Sequence, residues 1–200
     1  MKRDSSPTLH VDEWQCAAAE AAAYGAAQEC VDQCESNDTD PVDGFSAGLK
    51  DDSNVFEWDI MIIGPMGTYL SSQPDPDTLY EGGFLRAELI FPEEYPLLPP
   101  TMKFKTPMWH PNIYPDGTLC ISILHAPGKD EFGYEDASER WLPVHTVESI
   151  LVSVISLLSS DTPNTDSPAN IDAAKQVRED LPGYRKKVRR LVRESSEAFD

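Results

Sequence analysis

The clearest periodicity in the chain lies between Phe84 and Phe91, where apolar residues alternate with charged ones at Arg86 and Glu88. That two-residue period predicts a half-buried β-strand. Val55–Ile63 is rich in β-branched and aromatic residues and predicts a second strand, stopped by Gly64-Pro65. Shorter strands are expected at Phe45–Leu49 and Met102–Lys105, with residues 66–83 as a loop. Tyr95-Pro96-Leu97-Leu98-Pro99-Pro100 fits neither a central strand nor a helix, because proline has no amide donor. Residues 106–145 read as loop-rich. Val147–Ser159 carries a helical period with an almost wholly apolar face, which predicts a central buried helix. Ala169–Glu179 and Tyr184–Glu197 predict two more helices, separated by Pro182-Gly183. Successive strands followed by helices imply an α+β fold built on a four-stranded antiparallel meander.

The first 40 residues stand apart. No Lys or Arg occurs between Arg3 and Lys50, and Cys16–Ala27 is alanine-rich. Alanine propensity predicts a helix over Val11–Cys34, weakened at Gly25 and ended by Asn37–Pro41. The chain therefore divides into a divergent acidic segment, 1–40, and a core, 41–200.

Charge narrows the partners. Against 16 Lys and Arg stand 35 Asp and Glu, a formal net charge of −19. Such a surface repels phosphates, which argues against nucleic acid and anionic membranes and for a protein partner with a basic face. Acidity that serves solubility alone accounts for part of the imbalance. The basic run Arg185–Arg193 is not an exception, since Val188, Leu191 and Val192 describe one buried stripe with a solvated face. No stretch reaches the roughly 20 apolar residues of a membrane helix, so membrane insertion is not expected. Asp4, Asp12 and Glu13 interrupt any secretory signal. Four cysteines with three near the start are no disulfide framework, and the cytoplasm or nucleus is the expected setting. Cys30 and Cys34 have a Cys-x-x-x-Cys spacing with His10 and Cys16 upstream, but zinc needs a fitting fourth ligand in a defined fold, and three incidental thiols on a helix is the better reading, so no metal is expected.

Cys120 carries the candidate chemistry. It closes the stretch His110-Pro-Asn-Ile-Tyr-Pro-Asp-Gly-Thr-Leu-Cys120. A lone cysteine is ordinarily a small buried hydrophobe. Here Pro111, Pro115 and Gly117 impose a non-repetitive backbone, the kind of loop on which catalytic groups sit. A thiolate is a strong nucleophile, and the Asn112 amide can donate to an oxyanion, so the pair points to acyl transfer through a thioester. Asn112 could equally satisfy backbone groups of the turn. His110 reads as a loop-holding residue. No base is evident beside the thiol: His125 lies five residues on, either near it or only capping the loop.

The segment His110–Cys120 resembles the active-site stretch of ubiquitin-conjugating enzymes. The likeness extends from about Asp40 to the end through Phe45–Leu49, Ile63-Gly-Pro65, Leu79–Gly83, Phe91–Pro96, Pro99-Pro100, Glu139–Pro143 and Ser167–Asn170. The acidic stretch Pro127–Arg140 resembles the extra loop of the G-type branch, and Trp141–Glu148 with the ending at Phe199 is most similar to G1-type members. The resemblance implies the ubiquitin-conjugating fold, with an N-terminal helix and C-terminal helices flanking the meander. It implies that Cys120 accepts ubiquitin from an activating enzyme and passes it to lysines, with Asn112 catalytic and His110, Pro111, His125 and Asp130 supporting. It implies a RING-type ligase gripping Leu97, Pro143 and Val144. No cofactor is implied, since ATP is used by the activating enzyme.

Two alternatives stay open. One is a non-catalytic adaptor of the same fold that holds ubiquitin or a ligase. The other is transfer of a ubiquitin-like modifier. The resemblance implies a basic first helix, and the acidic, alanine-rich segment here departs from that pattern.

Overall fold

The computed structural model describes residues 44–51, 53–65, 78–128 and 135–198. Four strands, β1 (Phe45–Asp51), β2 (Asn54–Ile63), β3 (Phe84–Ile90) and β4 (Thr101–Phe104), pair in that order as an antiparallel sheet. The expected strands are all present, and the antiparallel meander is as read from the alternation. The N-terminal helix expected over Val11–Cys34 lies outside the described residues.

Register explains which face is buried. Trp58 pairs with Leu89 and Leu89 with Met102, while Ile60 pairs with Ala87 and Ala87 with Phe104. All six are buried, whereas Asp59, Arg86 and Ile90 on the alternate positions are exposed. Against the inner face lies α1 (Val147–Leu158), with Val147, Ile150, Leu151, Val154 and Leu158 buried. Thr146 and Ser149 cap α1 reciprocally, each side chain accepting from the other's backbone amide.

The two remaining helices are α2 (Ile171–Glu179) and α3 (Leu181–Glu197). Their boundary differs from the expectation. Pro182 and Gly183 do not separate the helices but occupy the first turn of α3. The first-turn amides of a helix have no intrahelical partner, so proline costs nothing there. The separator is Asp180, which ends α2 and whose carboxylate accepts from the Gly183 amide at 3.0 Å. On α3, Tyr184, Val188, Val192 and Ser195 are buried while Lys186, Arg189, Arg190 and Arg193 face solvent, so the basic run is one solvated face. No described helix is long and apolar enough to cross a membrane.

Candidate active site

The loop carrying Cys120 is laid along the free edge of β4. Gly117 O accepts from the Phe104 amide and Met102 O from the Leu119 amide, both at 2.9 Å. Gly117 has φ +93°, and a Cβ there would stand 2.2 Å from Phe104 O, so only glycine permits this approach. Tyr114 N–H donates to Thr118 O and Gly117 N–H to Tyr114 O, closing the turn that the Pro-Asp-Gly sequence predicts. Asp116 tightens it by accepting from the Thr118 amide and hydroxyl.

The turn returns the chain so that the Cys120 amide donates to Asn112 O at 2.9 Å. Nucleophile and candidate oxyanion donor are thus joined through their backbones. His110, buried, accepts the Asn112 amide on Nδ1 at 3.0 Å. Burial drives its imidazole down to about 4, so it is neutral and structural at neutral pH. Pro111, also buried, offers its carbonyl to the Asn170 amide at 2.9 Å, and Asn170 caps α2 through Ala173. The loop is therefore anchored to both β4 and α2.

A cleft of about 490 Å³ opens over the thiol, lined by Asn112, Cys120, Ser122, His125, Glu135 and Asp166 among others. Of the two alternatives the sequence left open for His125, the folded chain takes the one that sets it beside the thiol. A single 3-10 turn, Ser122–Leu124, folds the chain back and sets His125 Nε2 3.3 Å from Cys120 Sγ. His125 Nδ1 meets both carboxylate oxygens of Glu135 at 2.9 Å. Glu135 also accepts the Ser122 hydroxyl at 2.9 Å and lies 3.9 Å from Arg140 Nε. Burial works against its ionisation, yet the hydrogen bonds from His125 and Ser122 hold the carboxyl below its ordinary range. Glu135 was visible in the sequence only as one of several carboxylates in the acidic loop. Asp130 lies outside the described residues.

Half-burial pushes the Cys120 thiol up, and the charge on Glu135 adds to this. The Tyr114 hydroxyl beside the sulfur acts the other way. The resting group is therefore a thiol and not a preformed thiolate. Among the described residues no group of His, Cys, Asp and Glu is arranged to hold a metal ion.

The three candidate ligase-contact residues lie away from this cleft. Leu97 is 66% and Val144 77% exposed, and Pro143 is exposed beside it. Their two loops are tied together by buried Trp141, whose indole N–H donates to Pro96 O at 2.8 Å. The same Trp141 gives its backbone amide to His125 O at 3.0 Å, so the apolar loops and the thiol cleft share one buried support.

The family described as ubiquitin-conjugating enzyme matches residues 29–192. "Ubiquitin-conjugating enzyme E2 15" of Schizosaccharomyces pombe is 61% identical over 157 residues, covering 78% of this chain and 87% of that one. "Ubiquitin-conjugating enzyme E2 13" of Arabidopsis thaliana is 59% identical, covering 80% and 89%. "Ubiquitin-conjugating enzyme E2 G2" of Bos taurus is 48% identical, covering 78% and 87%. The solved structure of human ubiquitin-conjugating enzyme E2 G1 superposes with a TM-score of 0.51 at 47% identity, covering 68% of this chain and 95% of that one. A family match over most of the chain, relatives at this identity and the antiparallel meander agree: the chain belongs to the ubiquitin-conjugating enzyme family, in its G-type branch, and is an enzyme that transfers ubiquitin.

Proposed function

We propose that Cys120 is the residue that carries ubiquitin, and that Asn112 serves the step in which ubiquitin leaves. The observation that carries the reading is the backbone link of Cys120 to Asn112, which keeps thiol and amide on one wall of the cleft. Ubiquitin arrives on the activating enzyme as a thioester. Exchange onto Cys120 trades one thioester for another and is close to thermoneutral. A lysine amine then attacks the thioester carbonyl, whose oxygen becomes an oxyanion, and the Cys120 sulfur departs. A donor aimed at that oxygen stabilises the tetrahedral state. His110 and Pro111 hold the loop from beneath, through the Asn112 amide and the Asn170 amide. The sequence of steps needs no metal or cofactor, and ATP is spent by the activating enzyme.

The ligase partner in this reading is of RING type and docks on Leu97, Pro143 and Val144. Exposed apolar residues on loops braced by Trp141 make a pre-ordered patch, which lowers the entropy cost of binding. Residues 41–200 form the catalytic core, and the acidic segment 1–40 takes the place of the family's basic first helix. Asp130 belongs to the acidic loop that attracts the acceptor lysine.

The test is chemical. With activating enzyme, ubiquitin and ATP, the wild type forms an adduct that a thiol reagent cleaves. Cys120→Ser forms an oxyester adduct that survives the same reagent, and Cys120→Ala forms none. An adduct that persists in Cys120→Ala would place the nucleophile elsewhere, and no adduct at all with wild type would favour a non-catalytic adaptor.

A further inference from the structure

We propose that Glu135 and His125 form a proton relay on Cys120, with His125 as the general base of the charging step and Glu135 as its positioning residue. For charging, this rests on Cys120 being the ubiquitin carrier.

The geometry sets the tautomer. Glu135 presents only acceptor oxygens to His125 Nδ1, with two contacts of 2.9 Å, so the neutral imidazole keeps its proton on Nδ1. Nε2 is then a lone-pair acceptor, and it is the atom that stands 3.3 Å from Cys120 Sγ. A thiol is the donor that such a nitrogen accepts from. The Ser122 hydroxyl fixes Glu135 from a second side, and Arg140, held by Ala126 O at 2.9 Å, lies behind it. The carboxylate is therefore oriented by three neighbours before any substrate arrives.

The proton balance follows. As Cys120 Sγ bonds to the incoming thioester carbon, its proton passes to His125 Nε2. Glu135 offsets the imidazolium charge. When the tetrahedral state collapses, the bond to the activating enzyme's sulfur breaks and that departing thiolate takes the proton back from Nε2. His125 returns to its starting tautomer, so nothing accumulates. A resting thiol favours this arrangement over a thiolate–imidazolium pair, because the base acts during attack instead of beforehand. Among the described residues, the other ionisable or charged groups facing the pair are Tyr114 beside the sulfur and Arg140 and Asp166 on the cleft wall.

The test uses alkylation of Cys120 by iodoacetamide, followed on the Cys120 peptide by mass spectrometry in the full chain across pH 5.5–10. In alkylation the sulfur–carbon bond forms, iodide leaves and the thiol proton goes to the same base. Wild type is expected to give a two-limbed profile, one limb from the base and one from the thiol itself. His125→Gln keeps a hydrogen-bonding side chain for Glu135 but has no basic nitrogen. It is expected to lose the lower limb and to react at least about tenfold more slowly at pH 7. Glu135→Gln, which still accepts from Nδ1, is expected to fall between wild type and Glu135→Ala. Single-turnover charging at saturating activating enzyme is expected to follow the same order. Coincident profiles for wild type and His125→Gln would overturn the relay. So would Glu135→Ala with wild-type rates. Alkylation needs no ubiquitin, so a failure of the relay and a failure of the ubiquitin-carrier reading give separate signals.

Discussion

The amide of Cys120 donates to the carbonyl of Asn112 at 2.9 Å, so a segment nine residues long is folded back until its ends share one hydrogen bond. The bond ties the backbone of the candidate nucleophile to that of the candidate oxyanion donor. This predicts that Asn112→Ala separates two steps. Thioester formation on Cys120 persists, because exchange between thioesters demands little stabilisation. Discharge to a lysine falls by about 10²-fold, the cost of removing one oxyanion donor. Single-turnover discharge of purified thioester onto free lysine measures it. An unchanged discharge rate would reduce Asn112 to a turn residue.

His110 predicts a pH dependence of stability. Its folded-state pKa of about 4 lies below the ordinary histidine value, so on acidification the unfolded chain takes up a proton that the fold refuses. The stability that neutral His110 contributes is complete above pH ~6.5 and is lost as pH falls from there toward 4. At about 1.4 kcal/mol per pKa unit, the full window costs about 3 kcal/mol. Urea unfolding at pH 7.5, 6 and 5 should show the decline in wild type. His110→Asn should be less stable at pH 7.5 yet flatter over the same interval.

Gly117 predicts a sharp steric limit. A side chain there meets Phe104 O and must also adopt the left-handed backbone region. Gly117→Ala is expected to cost at least about 2 kcal/mol, counting the backbone penalty and the displaced loop together. Charging should fall with it, because the loop that places Cys120 is pinned through this residue. Denaturation midpoint and charging rate, measured on the same preparation, check both halves.

The apolar loops give a prediction that leaves chemistry intact. Val144→Asp and Leu97→Asp alter residues that stand in solvent, so thermal midpoint and charging by the activating enzyme should stay within error of wild type. Ligase-stimulated discharge should drop by more than tenfold, consistent with loss of a central contact worth at least about 1.4 kcal/mol. Trp141→Phe is different in kind. It leaves Pro96 O without its donor and should cost about 1–3 kcal/mol in stability.

What could be read from the chain and what could not differ in physical kind. The strands were legible because a sheet with one buried face imposes a period of two, which Phe84–Phe91 displays without ambiguity. The α1 stripe was legible for the same reason at helical period. The end of α2 at Glu179 was read correctly, but the start of α3 was placed at Tyr184 instead of Leu181 because Pro182 and Gly183 look like breakers, whereas the decisive residue is the Asp180 cap. Cys120 and Asn112 stood out because Pro115 and Gly117 punctuate the segment between them and Pro111 stands just before it. The nearness of His125 to the thiol was not legible. It depends on one 3-10 turn, whose short span leaves no periodic trace. Glu135 was harder still, since it stands ten positions along the chain from His125, in an acidic stretch where several carboxylates look alike.

The most direct test of the central claim is a pulse–chase. Wild-type protein is charged with labelled ubiquitin in one turnover, the activating enzyme is stopped, and unlabelled ubiquitin with a RING ligase is added. The thiol-sensitive adduct on Cys120 is expected to decay as a thiol-resistant, lysine-linked product appears at the same rate. Decay to free ubiquitin alone, or an adduct that forms equally in Cys120→Ala, would contradict it.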